Sequence, residues 1–93
     1  MIYYSYSDLL KSGYHISKQM FKYKCLSGEL KYELLNWCRN NPEKVMYIIP
    51  ESELPKLEKY KKGGELVFNP KSQPDYYTNL WAEEDRKAFS LEL

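Results

Sequence analysis

The side chains that could do chemistry in this chain are few and scattered. His15 is the one histidine, and Cys25 and Cys38 are the two cysteines. They stand thirteen apart, with His15 ten before the first, which is no zinc-ligand spacing. No local nucleophile signature accompanies His15, and a loop histidine beside Tyr14 reads as a surface residue rather than a general base. Pro74-Asp75 followed by Asp85-Arg86-Lys87 imitates the acidic and Asp-x-Lys pieces of restriction-type nucleases, where two carboxylates hold a metal and a lysine steadies the attacked phosphate. Here Asp85 to Lys87 falls in a helical pattern instead of a strand, and Glu83-Glu84-Asp85 reads more simply as a solvated acidic turn. Gly63-Gly64 lacks the glycine spacing and following Lys-Ser/Thr of a phosphate loop and reads as a helix stop. No catalytic residue, metal site or cofactor is expected.

What remains is charge. From Lys11 to Lys24 the chain carries four lysines, Lys11, Lys18, Lys22 and Lys24, with Tyr14, His15 and Tyr23 among them and no acid. The net charge is only +1, but residues 1–50 hold seven Lys/Arg against four Asp/Glu, and residues 51–93 seven against nine. A basic patch in one half can hold phosphates without making the whole protein basic. A solvated helix face accounts for the same lysines.

The elements that must position this patch follow from caps and periodicity. Ile2 to Tyr6 is β-prone and predicts a short strand. Ser7 offers an N-cap, Asp8 suits the first turn, Leu9 and Leu10 supply apolar contacts, and Gly13 stops a helix of one to two turns. Ser17 caps a second helix that runs to about Ser27 and stops at Gly28, with Ile16 and Phe21 at the spacing of a hydrophobic staple. Two short helices with a link of three or four residues form a helix-turn-helix pattern. On the second helix Lys18, Gln19, Lys22 and Tyr23 share one arc, Met20, Phe21 and Cys25 the opposite one, and Lys24 must snorkel past apolar neighbours.

Residues 28–44 admit two readings. As a helix, Leu30, Leu34, Trp37 and Cys38 fall at i, i+4, i+7 and i+8, a slightly better fit by count, and Asn40-Asn41-Pro42 terminates it. As a hairpin, Lys31 to Trp37 pairs with Val45 to Ile49 across a polar loop from Cys38 to Lys44. Val45 to Ile49 is the strongest strand signal, ended by Pro50. The following residues predict a helix capped by Ser52, with Pro55 in its first turn, Leu54 and Leu57 inward and Gly63-Gly64 as the stop. Glu65 to Phe68 predicts a further short strand, residues 69–74 a loop, and Tyr76 to Leu91 a terminal helix with Leu80, Trp81, Ala88 and Phe89 as apolar candidates. A parallel βαβ unit over Val45 to Phe68 is also open, near the short limit for such a crossover.

Length and composition bound the rest. Ninety-three residues make one domain that buries somewhat over ~60% of its unfolded surface. The 43% hydrophobic and 29% charged shares are globular, and no apolar run approaches the roughly 18 residues of a membrane span. The amino-terminal residues do not read as a signal peptide, which predicts a cytoplasmic protein with Cys25 and Cys38 as reduced core thiols. Ten tyrosines exceed what one small core buries, leaving Tyr3, Tyr4, Tyr14, Tyr23, Tyr76 and Tyr77 as candidates for a protein interface.

Over residues 5–60 the chain resembles the excisionase and MerR-type winged helix-turn-helix domains. The residues that carry the resemblance are "YSDLLKSGYHISKQMFKYKCLSGELK" and "VMYIIPESELPKLEKY": a short helix, a Ser-begun second helix, a Gly-Glu-Leu turn, and a strand that ends in an Ile-Pro helix start. The resemblance implies that Ser17 to Lys24 enters the major groove, that Lys18, Gln19 and Lys22 reach phosphates and base edges, and that a loop around Arg39 to Lys44 acts as the wing.

The resulting expectation is an α+β single domain over residues 1–93: a winged helix-turn-helix-like part over residues 5–60 with a small sheet, then a short strand, a loop and a C-terminal helix over residues 61–93. Its function would be non-enzymatic binding of double-stranded DNA, of phage or mobile-element type, excisionase-like or regulatory. Lys11, Ser17, Lys18, Gln19, Lys22, Tyr23, Arg39 and Lys44 would be the contacts. The alternative is a phage-encoded inhibitor, of anti-CRISPR type, that binds a host nucleic-acid-processing or defence enzyme through Tyr76, Tyr77, Trp81, Glu83, Glu84 and Asp85. Neither reading involves a membrane.

Overall fold

The computed structural model describes residues 1–91, with side chains to residue 88. The chain begins with β1 (Tyr3–Ser5) and passes directly into α1 (Tyr6–Lys11). The cap of α1 is Ser5, not Ser7. Ser5 Oγ accepts from the Asp8 amide at 3.3 Å while Asp8 Oδ2 accepts from the Ser5 amide at 2.9 Å, a reciprocal capping box that needs the acid three residues after the serine. A cap at Ser7 would put Asp8 at the first helical position, too close to reach back. Gly13, at φ +92°, turns the chain. α2 (Lys18–Leu26) then starts under Ser17, whose Oγ accepts from the Met20 amide at 3.1 Å. Ile16 and Phe21 are both buried, as a staple requires. Met20 departs from its expected arc and is 42% exposed.

Residues 28–44 form a hairpin arm, not a helix. β2 (Glu33–Asn36) pairs antiparallel with β3 (Val45–Pro50) in the register Glu33 to Ile48, Leu34 to Tyr47, Leu35 to Met46 and Asn36 to Val45. The helical count fails because Leu34 is exposed while Leu35 is buried on the other face, the alternation of a strand. Tyr32 stacks on Tyr47 with ring centroids 5.2 Å apart. Asn36 Nδ2 donates to the carbonyls of Asn41 and Lys44, both at 3.0 Å, so the asparagines that resemble a helix terminator close a loop instead. β3 also pairs antiparallel with β1, giving a three-stranded sheet in the order β1-β3-β2.

After β3 the chain runs as a 3-10 helix over Glu51–Tyr60. Ser52 does not cap it: Pro50 takes that position without a side-chain bond, and the Glu51 amide donates to the Ile2 carbonyl at 2.8 Å. Leu54 and Leu57 face inward as expected. Gly63 and Gly64 turn the chain with positive φ, and the Lys62 amide donates to the Gly13 carbonyl at 2.8 Å.

Glu65 to Phe68 joins no strand among the described residues, which removes both the predicted strand and the parallel βαβ unit. Its Val67 amide donates to Ser12 Oγ at 2.9 Å. The free edge of β1, where another strand could add, is occupied by a side chain: Gln73 Oε1 accepts from the Tyr3 amide at 2.9 Å and Gln73 Nε2 donates to the Tyr3 carbonyl at 3.1 Å. A carboxamide thus stands in for a strand and blunts the edge. Gln73 follows a short 3-10 turn, Pro70–Ser72.

The core gathers Tyr4, Leu9, Tyr14, Ile16, Phe21, Cys25, Leu30, Ile49, Leu54 and Leu57 between α1, α2, one sheet face and the 3-10 helix. Tyr4 and Tyr14 are therefore core residues and not interface residues. Cys25 is buried, which pushes its thiol up to about 11, whereas Cys38 is only half-buried. Pairing parity puts Leu35 and Ile48 on the opposite sheet face, where both are also buried.

α3 (Tyr76–Leu91) completes the chain. Among its described side chains only Tyr76, Tyr77 and Trp81 are half-buried; Leu80 and Ala88 are exposed, and Phe89 lies outside the described side chains. The result is a small α+β domain with an antiparallel sheet. No helix among the described residues is long and apolar enough to cross a membrane.

Candidate nucleic-acid interface

α2 meets the hairpin arm along a cleft of about 340 Å³. One wall is Lys18, Phe21 and Lys22 of α2; the other is Val45, Met46 and Tyr47 of β3; Ser5, Tyr6 and Ser7 also line it. Each wall has a local cause. The Ser17 cap and the Ile16–Phe21 staple set the rotation of α2, so that burying Phe21 turns Lys18 and Lys22 outward one helical turn apart. The sheet register puts Val45 and Tyr47 on the same face as Leu34, toward α2. The Lys22 ammonium sits 5.8 Å from the centroid of the Tyr47 ring, within cation–π range. Tyr6 is fixed beside α2: its ring lies 5.7 Å from that of Phe21 and its hydroxyl donates to the Ile16 carbonyl at 2.8 Å.

The candidate contacts fall into three groups. Lys18 and Lys22 are exposed and line the cleft; Ser17, Gln19 and Tyr23 are exposed beside them on α2, Tyr23 at 66%. Ser17 spends its hydroxyl on the cap. Lys11, on the last turn of α1, and Lys44, at the foot of β3, are exposed but do not line the cleft. Arg39, in the hairpin loop, is not free: its guanidinium forks onto Asp85 of α3 at 2.8 and 2.7 Å. Asp85 raises the Arg39 pKa, and Arg39 in turn holds the Asp85 carboxyl below its ordinary value.

Lys24 leaves the patch altogether. It is buried, its ammonium lies 3.1 Å from Glu29 Oε1 and 5.7 Å from the Tyr60 ring, and the bond it donates to Glu29 raises its pKa against the opposing effect of burial. The expected blemish on the apolar arc is thus a paired lysine at the turn after α2.

Of the protein-interface candidates, Tyr76 and Tyr77 pack edge to face at 5.0 Å, and Tyr77 lies 6.0 Å from Trp81. Their rings are partly spent on one another. Glu83 and Glu84 are exposed, and Asp85 is held by Arg39. Asp75 stands at the start of α3, its carbonyl accepting from the Asn79 amide, and Asp85 follows ten residues later in the same helix; at 1.5 Å per residue they lie about 15 Å apart along its axis, too far for a carboxylate pair of the nuclease kind.

Tyr47 and Tyr32 were not legible as site residues. Val45 to Ile49 looks like an apolar strand to be buried, and only the hairpin register turns Tyr47 toward Lys22. The alternation Tyr32, Leu34 opposite Val45, Tyr47 was the available signal, visible once the helical reading is set aside. The arrangement brings two cations, Lys18 and Lys22, and the Tyr47 ring to one groove. Set against protein-family models, curated proteins and solved structures, the chain matches none.

Proposed function

We propose that this chain is a small, non-enzymatic protein that binds double-stranded DNA, of phage or mobile-element type, working in the cytoplasm as a winged helix-turn-helix. The observation that carries the reading is the shared exposure of Lys18 and Lys22 on a serine-capped helix that flanks an antiparallel hairpin. α2 has nine residues, about 13 Å of helix at 1.5 Å per residue, a length that suits a major groove roughly 12 Å wide. In that pose Lys18, Gln19 and Lys22 meet phosphates and base edges, Lys11 meets the flanking backbone, and the β2–β3 loop with Lys44 lies along the next stretch of backbone as the wing. The protein would act by occupying a site and shaping it or recruiting others there.

Binding to random duplex DNA across a salt series tests the reading. Four phosphate contacts, from Lys11, Lys18, Lys22 and Lys44, predict a slope of log Kobs against log salt of about −3 to −4. No measurable binding at low salt would overturn it. A second reading, an inhibitor that binds a host nucleic-acid-processing or defence enzyme, is favoured by one feature: Tyr23, Leu26, Leu34 and Trp37 leave apolar area open on α2 and the hairpin. It predicts a stoichiometric complex with one host enzyme and no affinity for DNA.

A further inference from the structure

The hairpin loop and α3 are joined by one ion pair among the described residues. Arg39 Nη1 donates to Asp85 Oδ1 at 2.8 Å and Nη2 to Oδ2 at 2.7 Å, across 46 residues of chain. Two parallel bonds from a planar guanidinium to two oxygens of one anion is also how arginine holds a DNA phosphate. The side chains are 46% and 60% exposed, so the pair stands in water, where salt screens it and a competing anion can reach the guanidinium.

The neighbourhood favours an exchangeable contact. Among the described side chains of α3 only Tyr76, Tyr77 and Trp81 are half-buried, and from Ala82 to Ala88 every side chain is exposed. Among the described side chains of that stretch, Asp85 is the one with an ion pair to the rest of the domain. Glu83 and Glu84 precede it, and the charge of Glu84 adds to that of Asp85 at Arg39. The one arginine in the hairpin loop, which would otherwise face an incoming duplex, is neutralised by the most acidic turn of the chain.

We propose that Asp85 of α3, with Glu84 beside it, is an internal stand-in for a DNA phosphate. It holds Arg39 while the protein is free and yields it to the backbone of a bound duplex, so that α3 lowers affinity for DNA in general. The inference rests on the duplex-binding reading above. Exchange has a thermodynamic signature. When a phosphate takes Arg39 from Asp85, the phosphate sheds a counterion but the freed carboxylate gains one, so the contact adds little to the salt slope. Without the carboxylate the same contact counts in full, about 0.9 in the slope.

The test uses the full chain and random duplex DNA over a salt series, with the wild type, Asp85→Asn, Arg39→Gln, the double variant, and Glu83→Gln. Glu83 makes no ion pair among the described residues, so Glu83→Gln changes net charge equally without touching Arg39. Asp85→Asn is expected to bind more tightly than the wild type, with a slope steeper by about 0.9. Glu83→Gln should keep the wild-type slope, and Arg39→Gln should erase the gain from Asp85→Asn. A gain equal to that of Glu83→Gln, or one that survives in the double variant, would overturn the latch and leave the duplex-binding reading standing. Absence of binding by every variant at low salt would overturn both.

Discussion

The Ser72 hydroxyl donates to the Asp8 carboxylate, a bond between residues 64 apart in sequence. Asp8 is 1% exposed and has no ion pair among the described residues. Its charge is met by donors alone: the Ser5 amide and Ser72 Oγ on Oδ2, and Asn69 Nδ2 on Oδ1 at 2.9 Å. One carboxylate therefore caps α1 and fastens residues 69–72, which in turn set Gln73 against β1. Ser72→Ala leaves a buried acceptor short of a donor and should cost about 1–3 kcal/mol in urea unfolding. Asp8→Asn should cost more, because its amide would present N–H groups to donors. A loss within error for Ser72→Ala would show that the bond contributes nothing net.

Gly13 and Gly28 are both at positive φ but differ in surroundings. A Cβ on Gly13 would lie 1.6 Å from the Gly63 carbonyl oxygen, while one on Gly28 would meet nothing within 4 Å. Gly28→Ala should therefore cost only the left-handed conformation, about 1–2 kcal/mol. Gly13→Ala must also push apart two backbone segments, and should lower the thermal midpoint at least twice as far. Equal shifts for the two variants would mean that the Gly13–Gly63 approach relaxes freely.

Local signals explain what could be read in advance. The Ser17 cap, the stops at Gly13 and Gly28 and the strand from Val45 each depend on residues a few positions apart, and each stands in the fold as expected. The errors lie where distant residues decide. Ser5 displaces Ser7 as a cap because β1 ends there. Residues 28–44 leave a helix and a hairpin open in the sequence, and the Tyr32–Tyr47 stack and the Asn36 loop bonds decide for the hairpin. Glu65 to Phe68 has strand-forming residues, but Gln73 holds the edge of β1. In the candidate site, the exposed lysines of α2 were legible as a charge run, while the burial of Lys24 and the capture of Arg39 came from Glu29 and Asp85, whose positions no periodicity encodes.

Glu53 links the 3-10 helix to the turn after α2. Its buried carboxylate accepts from the Lys31 amide at 2.7 Å and from Lys56 Nζ at 3.0 Å. The Lys31 amide, then Lys56, hold its pKa below the ordinary glutamate value, although burial acts the other way. In the unfolded chain the group returns to about 4.3. A carboxylate depressed in the folded state contributes stability that is complete above the unfolded value and drains away as pH falls through the folded one. Urea unfolding of Glu53→Gln between neutral and acid pH should therefore show a shallower loss of stability below about pH 4.3 than the wild type. Parallel losses would mean that Glu53 titrates alike in both states.

Lys18 and Lys22 give the sharpest variant test of the proposed interface. Both are exposed, and neither takes part in the Ser17 cap or the Ile16–Phe21 staple, so replacing them should leave the fold intact. A glutamate at residue 18 even suits the positive first turn of α2. Lys18→Glu together with Lys22→Glu is expected to abolish measurable duplex binding, with an unchanged circular dichroism spectrum and unfolding midpoint. The milder pair Lys18→Gln and Lys22→Gln should weaken binding and reduce the salt slope by about 2, one for each lost phosphate contact. Loss of the cation over Tyr47 should also change the environment of that ring, so tyrosine resonances report on the substitution independently of DNA. If the folded charge-reversed pair binds DNA as the wild type does, α2 is not the element that meets the duplex, and the lysines of this helix are a solvated face.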